Sequence, residues 1–215
     1  MSGNNQIQTI NTSLSMSNFA FIQPIVQFES PSVDIKKIVD RVYDFWDKNI
    51  DNTTMQGGYQ LRLVNHENGK VNELFVPEIN ALLQEGITTG VENYIATLNI
   101  EQKEEFSTKI WITNVWINIA TPGSYHRTHI HGNSHLNGIF YLQVPENSGE
   151  TFVVNPYPTG VESILKTPNS SISLSARRGV GYIFSSSLPH YTDPNHSESD
   201  RISLAFEIKL DTILK

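Results

Sequence analysis

Two histidines in this sequence have the spacing of metal ligands. Six of the seven histidines lie between His126 and His196. Within that group, His129 and His131 stand two residues apart, and residues two apart in a strand point to the same face. Two imidazoles on one face can reach one ion, and imidazole suits Fe(II), Cu, Ni and Zn. A solvated, His-rich loop has the same pattern, so the pair alone does not establish a metal site.

A second group of residues, later in the chain, fits an anionic ligand. His190 follows a predicted strand, and Arg201 begins another strand in which Ser203 shares its face. An arginine inside a β-barrel needs an anionic partner, because an unpaired buried charge is costly. Its guanidinium fork matches a carboxylate, so the arrangement fits a dicarboxylate that chelates a metal at one end and reaches Arg201 at the other. The competing interpretation of Arg201 is a surface ion pair with Asp200 or Glu198.

The elements that must position these residues are mostly strands. Apolar residues at helical spacing predict one helix that opens at Pro31-Ser32 and a second over about 77–98. Alternation and β-branched or aromatic content predict strands at 19–28 (an edge strand with a proline), 59–64, 110–120, 138–143, 151–154, 171–174, 180–184 and 201–209. The fold class is therefore mainly β with N-terminal helices, a sandwich or jelly roll with the helices packed on its outside.

Length and composition limit the organisation and the partners. The 215 residues suit a flexible arm at 1–18, rich in Ser, Asn and Gln, and one domain at 19–215 with helical support at 19–108. The net charge of −7 argues against nucleic acid, and the absence of cysteine excludes disulfides and thiolate metal sites. No apolar run approaches the ~20 residues of a membrane span. We expect a cytoplasmic protein with no membrane partner, and we allow for a homodimer.

Several segments, in this order and spacing, resemble a known superfamily. From about Trp111 to Phe206 the chain resembles the 2-oxoglutarate/Fe(II)-dependent oxygenases, and within them a small bacterial and phage branch distantly similar to prolyl hydroxylases. The resemblance implies a double-stranded β-helix, a jelly-roll, cupin-like barrel with the metal at its mouth. The segments that carry it are Trp116-Ile-Asn118, Pro122-Gly123, His129-Ile-His131, Asn137-Gly-Ile-Phe-Tyr141, Asn155-Pro156 and the stretch 181–203.

The resemblance also implies roles for the histidines. His129 matches the first ligand of the family's H-x-D/E motif, and His190 matches the distal ligand. His131 stands where most of the superfamily has Asp or Glu, and as a third ligand it would leave the site one charge unit more positive. Alternatively His126, His135 or a carboxylate from elsewhere completes the site.

For the co-substrate, the resemblance assigns Arg201 and Ser203 to the C5 carboxylate of 2-oxoglutarate. Tyr141 sits where prolyl-hydroxylase-like enzymes place a tyrosine whose hydroxyl meets that carboxylate, and its alternative is an ordinary core tyrosine. Asn118 is a candidate hydrogen-bond partner of 2-oxoglutarate or water, and its alternative is a polar contact at a strand end.

The implied function is an Fe(II)- and 2-oxoglutarate-dependent dioxygenase that hydroxylates a small-molecule or peptide substrate and releases succinate and CO2. A cupin-type three-His metalloenzyme without 2-oxoglutarate is the second hypothesis. Gly123 followed by His129-x-His131 resembles the first cupin motif, with His135 in place of its glutamate, although Arg201 argues against this class. The third hypothesis is a non-catalytic β-sandwich module with incidental histidines.

Overall fold

The computed structural model describes residues 23–46, 56–65, 70–71, 74, 77–98, 106–156 and 171–214. The predicted arm at 1–18 lies outside these residues. In the described part of the chain, no helix is both long and apolar enough to cross a membrane.

In the residues that the structure describes, ten strands form two antiparallel sheets. The strands are β1 (Ile25–Glu29), β2 (Tyr59–Asn65), β3 (Lys70–Val71), β4 (Phe106–Ala120), β5 (Leu136–Gln143), β6 (Thr151–Val154), β7 (Ser171–Leu174), β8 (Val180–Ser185), β9 (His190–Thr192) and β10 (Arg201–Leu214). The larger sheet has the order β1-β8-β5-β10-β4-β2-β3, and the smaller has the order β7-β6-β9. Seven of the predicted strands are present near their predicted bounds, and the edge strand predicted at 19–28 is present at an edge as Ile25–Glu29, with residues 19–22 outside the described part of the chain. The short β3 and β9 were not predicted.

The two long strands β4 and β10 separate an apolar face from a polar one. Between Ile202 and Ile208, alternate residues of β10 are apolar and fully buried in the main core, and those between them turn to the other face. The same alternation runs from Asn114 to Ile119 in β4, which pairs with β10 over its whole length. The apolar face carries Val115, Ile117, Ile119, Ile202, Leu204, Phe206 and Ile208, and the opposite face carries Asn114, Trp116, Asn118, Arg201, Ser203, Ala205 and Glu207.

The first helix, α1 (Ile35–Trp46), packs on the apolar face of the larger sheet. It begins after the predicted start because residues 31–33 form a turn. Asp34 caps it: Asp34 Oδ1 accepts the Lys37 backbone N–H at 3.1 Å, which satisfies one of the free donors of the first turn. Ile38, Val39 and Val42 are its buried residues, as the helical spacing predicted.

The second predicted helix is continuous but not uniform. It consists of α2 (Pro77–Leu82), a π-helical turn at Leu83–Ile87 and α3 (Thr88–Thr97). Two glycines lie where it meets the sheet. A Cβ on Gly90 would stand 2.6 Å from the Ile183 side chain, and one on Gly86 would stand 3.1 Å from the Phe28 ring. The glycines therefore permit the close approach of helix and sheet, which offsets their low helix propensity.

The smaller sheet faces the polar side of the larger one. A second apolar cluster, which includes Tyr141, Val153 and Leu174, closes one end of the space between the sheets. Residues 125–131 run beside β9 without forming a regular strand. His129 of this segment pairs with His190 of β9 in an isolated bridge. The space that remains between the sheets contains the candidate site.

Candidate active site

The structure brings His129, His131 and His190 together. One ligand atom from each ring lies within 4.8 Å of the others. The ring centroids of His129 and His190 are 4.3 Å apart, and His131 lies 5.3 and 5.2 Å from them. His131 is held by its backbone N–H, which donates to the Ser186 carbonyl at 3.0 Å. The two-residue spacing thus places both side chains toward one point, although they lie in an irregular segment rather than a regular strand.

Each of the three rings is anchored through Nδ1. A carbonyl or an ionised carboxylate only accepts hydrogen bonds, so each Nδ1 carries the proton and each Nε2 keeps its lone pair. Anchoring of this kind fixes the tautomer and orientation that a metal ligand needs. The acceptors are the Arg127 carbonyl for His129 at 2.8 Å, the Leu188 carbonyl for His190 at 3.0 Å and Glu207 Oε1 for His131 at 2.7 Å.

Burial favours the neutral form of three imidazoles in the cavity, those of His126, His129 and His190. It lowers the pKa of His190 to about 3 and that of His126 to about 4, and nearby His129 acts in the same direction on both. Burial also lowers the pKa of His129. Metal ligation requires the neutral ring. Three imidazoles, each anchored through Nδ1 and each with a ligand atom within 4.8 Å of the others, therefore fit a divalent ion such as Fe(II).

Glu207 is an ionised neighbour of this group. The hydrogen bond from His131 lowers the pKa of the Glu207 carboxyl below its usual range, and this outweighs the opposing effect of burial. The side-chain N–H of Asn114 and the charge of Arg62 lower it further. The side chains of His131 and Glu207 are only 13% and 12% exposed.

Arg201 is a buried cation that has no carboxylate partner among the described residues. It is 4% exposed, and its Nη1 donates to the Ser148 carbonyl at 2.7 Å. The structure does not contain the surface ion pair with Asp200, whose carboxylate instead accepts a hydrogen bond from the Tyr43 hydroxyl. Burial lowers the pKa of Arg201 below its usual range, which reflects the cost of a charge removed from water.

One cavity of about 350 Å³ contains both the three histidines and Arg201. Asn118 and Ser203, the residues that the sequence analysis connected with the co-substrate, line it, and Asn118 Oδ1 accepts a hydrogen bond from Gln60 Nε2 at 2.9 Å. Ser203 is 4% exposed. Two threonines that the sequence analysis did not single out, Thr151 and Thr192, also line the cavity.

Tyr141 lies behind this wall rather than in it. It is completely buried, and its hydroxyl donates to Thr151 Oγ1 at 2.8 Å. Burial raises the pKa of Tyr141 to about 12, so the phenol stays protonated. The geometry thus connects Tyr141 to the cavity through Thr151.

Four buried polar atoms in the cavity wall have no hydrogen-bond partner within the described part of the chain. Such atoms cost about 1–3 kcal/mol each unless something satisfies them, so their concentration in one wall indicates a ligand site. They are Asn114 Oδ1, Trp116 Nε1, His126 Nε2 and Asn137 Oδ1.

The other described histidines take no part in the three-His group, and His66 lies outside the described residues. His126 lines the cavity with its ring centroid 5.4 Å from that of His129. His135 is exposed, and its Nδ1 accepts the Leu210 backbone N–H at 2.9 Å. The position that the cupin motif gives to glutamate is therefore not at the site. His196 is also exposed.

The sequence analysis missed Glu207, Asn114 and the contribution of Trp116. A signal for them was present. Glu207 continues the two-residue alternation that starts at Arg201 and Ser203, and Asn114 and Trp116 continue the one that ends at Asn118. Extending both alternations along the strands would have identified these three residues.

Comparisons with known proteins agree with this geometry. The family described as "Putative 2OG-Fe(II) oxygenase" matches residues 114–207, which include all three histidines, Arg201 and Glu207. No curated protein sequence matches the chain.

Several solved structures share the fold at low identity. A 2OG-Fe(II) oxygenase family oxidoreductase from Burkholderia pseudomallei is 13% identical with a TM-score of 0.56, and the alignment covers 86% of this chain and 84% of that one. A Pseudomonas putida prolyl-4-hydroxylase is 12% identical with a TM-score of 0.57, covering 87% and 92%. A viral collagen prolyl hydroxylase from Paramecium Bursaria Chlorella virus-1 is 16% identical with a TM-score of 0.52, covering 86% and 94%.

These likenesses confirm the predicted double-stranded β-helix. The match to the family model indicates the type of chemistry, which similarity in fold alone does not. The match over residues 114–207, together with the group of His129, His131 and His190, indicates a 2-oxoglutarate/Fe(II)-dependent oxygenase, an oxidoreductase.

Proposed function

We propose that His129, His131 and His190 hold Fe(II) through their Nε2 atoms, and that Arg201 with Ser203 binds the distal carboxylate of 2-oxoglutarate. The ligand assignment rests on the three Nδ1 anchors, which occupy one nitrogen of each ring and leave Nε2 as the nitrogen for the metal. His131 is preferred to His126 or His135 as third ligand because it belongs to the group within 4.8 Å.

One observation carries the co-substrate assignment. Arg201 is a buried guanidinium that faces the same cavity as the three histidines and has no carboxylate partner in the described residues. A buried charge without a partner is strongly destabilising, so an anionic ligand at this position satisfies a need of the fold. A dicarboxylate fits this cavity because one end can contact Arg201 while the other end reaches the metal.

When bound, Fe(II) and 2-oxoglutarate supply oxidative decarboxylation to succinate and CO2, coupled to oxygenation of a substrate C–H bond. The chain's own residues orient the reactants and limit access of water. The Phe184 ring packs edge-on against His190 with centroids 5.1 Å apart, which supports that ring from its apolar side. Asn118 and Ser203 present hydrogen-bonding groups along the cavity wall.

The substrate is a small molecule or a peptide. The unpartnered Trp116 Nε1 and Asn137 Oδ1 offer one donor and one acceptor to it. Hydroxylation as the outcome agrees with the similarity in fold to prolyl hydroxylases. Location in the cytoplasm, a homodimer and the link to phage stay predictions.

The test is an anaerobic titration of Fe(II)-loaded protein with 2-oxoglutarate, followed by visible absorption. Chelation should give a weak metal-to-ligand charge-transfer band that saturates with 2-oxoglutarate. Arg201→Met should need much more 2-oxoglutarate to reach the same band, whereas Arg177→Met, outside the cavity, should behave like the wild type. Iron binding with no band at saturating 2-oxoglutarate would instead favour a three-His metalloprotein of the cupin type.

A further inference from the structure

The residue at position 131 affects the total charge of the proposed metal ligands. The resemblance places Asp or Glu there in most of the superfamily, whereas this chain has a histidine, which carries no negative charge. Three neutral ligands leave Fe(II) with one negative charge fewer around it. A carboxylate close behind one of the imidazoles would return that charge, because a hydrogen-bonded carboxylate raises the basicity of a ligating histidine.

Glu207 occupies that position. Its Oε1 accepts the Nδ1–H of His131 at 2.7 Å, and its other oxygen accepts the side-chain N–H of Asn114. His129 and His190 donate instead to neutral carbonyls. Within the described residues, Glu207 is thus the only carboxylate bonded to a member of the three-His group.

The fold aims Glu207 specifically at His131. The register of β4 against β10 shifts at this point: Glu207 lies opposite Asn114, whereas Ile208 lies opposite Ile112. Thr113 is the extra residue, and its hydroxyl donates to the Glu207 carbonyl at 3.3 Å. Bulges of this kind often redirect a side chain beside an active site. The indole of Trp116 covers His131, with ring centroids 5.7 Å apart.

We propose that Glu207 is a positioning residue that supplies, through His131, the negative charge that a carboxylate ligand supplies elsewhere in the superfamily. His131 and Glu207 then act together as one anionic ligand. This inference rests on the proposed function, because it takes His131 as a ligand of the metal.

The test uses Glu207→Gln, which removes the charge but keeps an oxygen that accepts the His131 Nδ1–H. Fe(II) affinity, measured anaerobically without turnover, should fall about 10–100-fold, which is typical when the outer partner of a metal-bound histidine is lost. The charge-transfer band with 2-oxoglutarate should move to shorter wavelength, because a less electron-rich iron gives up an electron less readily. Glu198→Gln, an exposed residue with the same change of charge, should alter neither quantity.

A double-mutant cycle separates charge from structure. His131→Asp puts a carboxylate in the ligand position itself, so Glu207→Gln in that background should cost less than about threefold in Fe(II) affinity. An equal loss in both backgrounds would mean that Glu207 acts only on structure, and the inference would be wrong.

The remaining outcomes identify which proposal fails. Wild-type protein that binds Fe(II) and develops the band, together with an unaffected Glu207→Gln variant, refutes the role of Glu207 alone. Wild-type protein that does not take up Fe(II) refutes the proposed function and this inference with it.

Discussion

His129 and His190 exchange two backbone hydrogen bonds, each 3.0 Å long, although they lie far apart in the sequence. The bonds fix the distance between the two ring-bearing backbones without using either side chain. They connect the irregular 125–131 segment to β9 and so to the smaller sheet. The close approach of the two histidines therefore comes from main-chain pairing, which uses neither imidazole.

His190→Ala should abolish stoichiometric metal binding while the protein stays folded, because the two bonds to His129 are made by the backbone. Metal content after loading with Fe(II) and removal of the excess measures the first effect, and circular dichroism measures the second. His135→Ala, which removes an exposed histidine outside the group, should keep full metal content. Stoichiometric metal in the His190 variant would show that the ligand assignment is wrong.

Arg201→Met should weaken 2-oxoglutarate binding at least tenfold, since a hydrogen bond to a charged group contributes about 1.5–3 kcal/mol. The thermal midpoint without ligand should not fall, because methionine removes a buried charge that has no carboxylate partner in the described residues. Calorimetric titration and a thermal melt measure the two effects. Unchanged affinity for 2-oxoglutarate would contradict the role given to Arg201.

The sequence predicted the strands well because their signal is local. Alternation along β4 and β10 follows from burial of one face of each strand, and this pattern is visible in residues 110–120 and 201–209. The short β9 was missed because His190–Thr192 has no apolar pattern of its own. Its pairing with β6 and with His129 depends on tertiary contacts.

Part of the candidate site was also predicted, because the spacing of its residues is a local signal. His129, His131, His190, Arg201, Ser203 and Asn118 face one cavity, as spacing and resemblance together indicated. Glu207 was not predicted because its contact with His131 crosses between the two sheets. The displacement of Tyr141 to a place behind Thr151 also depends on packing that no local pattern encodes.

Acid should destabilise the metal-free protein. The pKa values of His126 and His190 are lowered from 6.5 to about 4 and about 3, so the unfolded chain binds more protons than the folded one below pH 6.5. Stability is unaffected by these groups above that pH and falls as the pH decreases below it, by about 2 kcal/mol per group at about pH 5. Urea denaturation of chelator-treated protein, once above pH 6.5 and once at about pH 5, measures the loss.

The matched variant for this prediction is His126→Gln, which removes one of the groups whose pKa burial lowers and should reduce the acid-induced loss by about 2 kcal/mol at about pH 5. His196→Gln changes an exposed histidine far from the cavity and should leave the loss unchanged. A loss of stability that is the same in wild type and His126→Gln would assign the acid sensitivity to other groups.

Gly138 allows β5 to fit between β8 and β10, so Gly138→Ala should be markedly destabilising. A Cβ at this position would stand 2.4 Å from the Phe206 ring and 2.5 Å from the Tyr182 carbonyl oxygen. The carbonyl belongs to a paired strand and cannot yield easily, so we expect a loss of about 1–3 kcal/mol in the free energy of unfolding. Gly132→Ala, with no atom within 4 Å of its added Cβ, should stay within about 0.5 kcal/mol of the wild type in the same urea titration. Equal stability of the two variants would mean that β5 and β10 can separate without cost, which the fully buried Phe206 argues against.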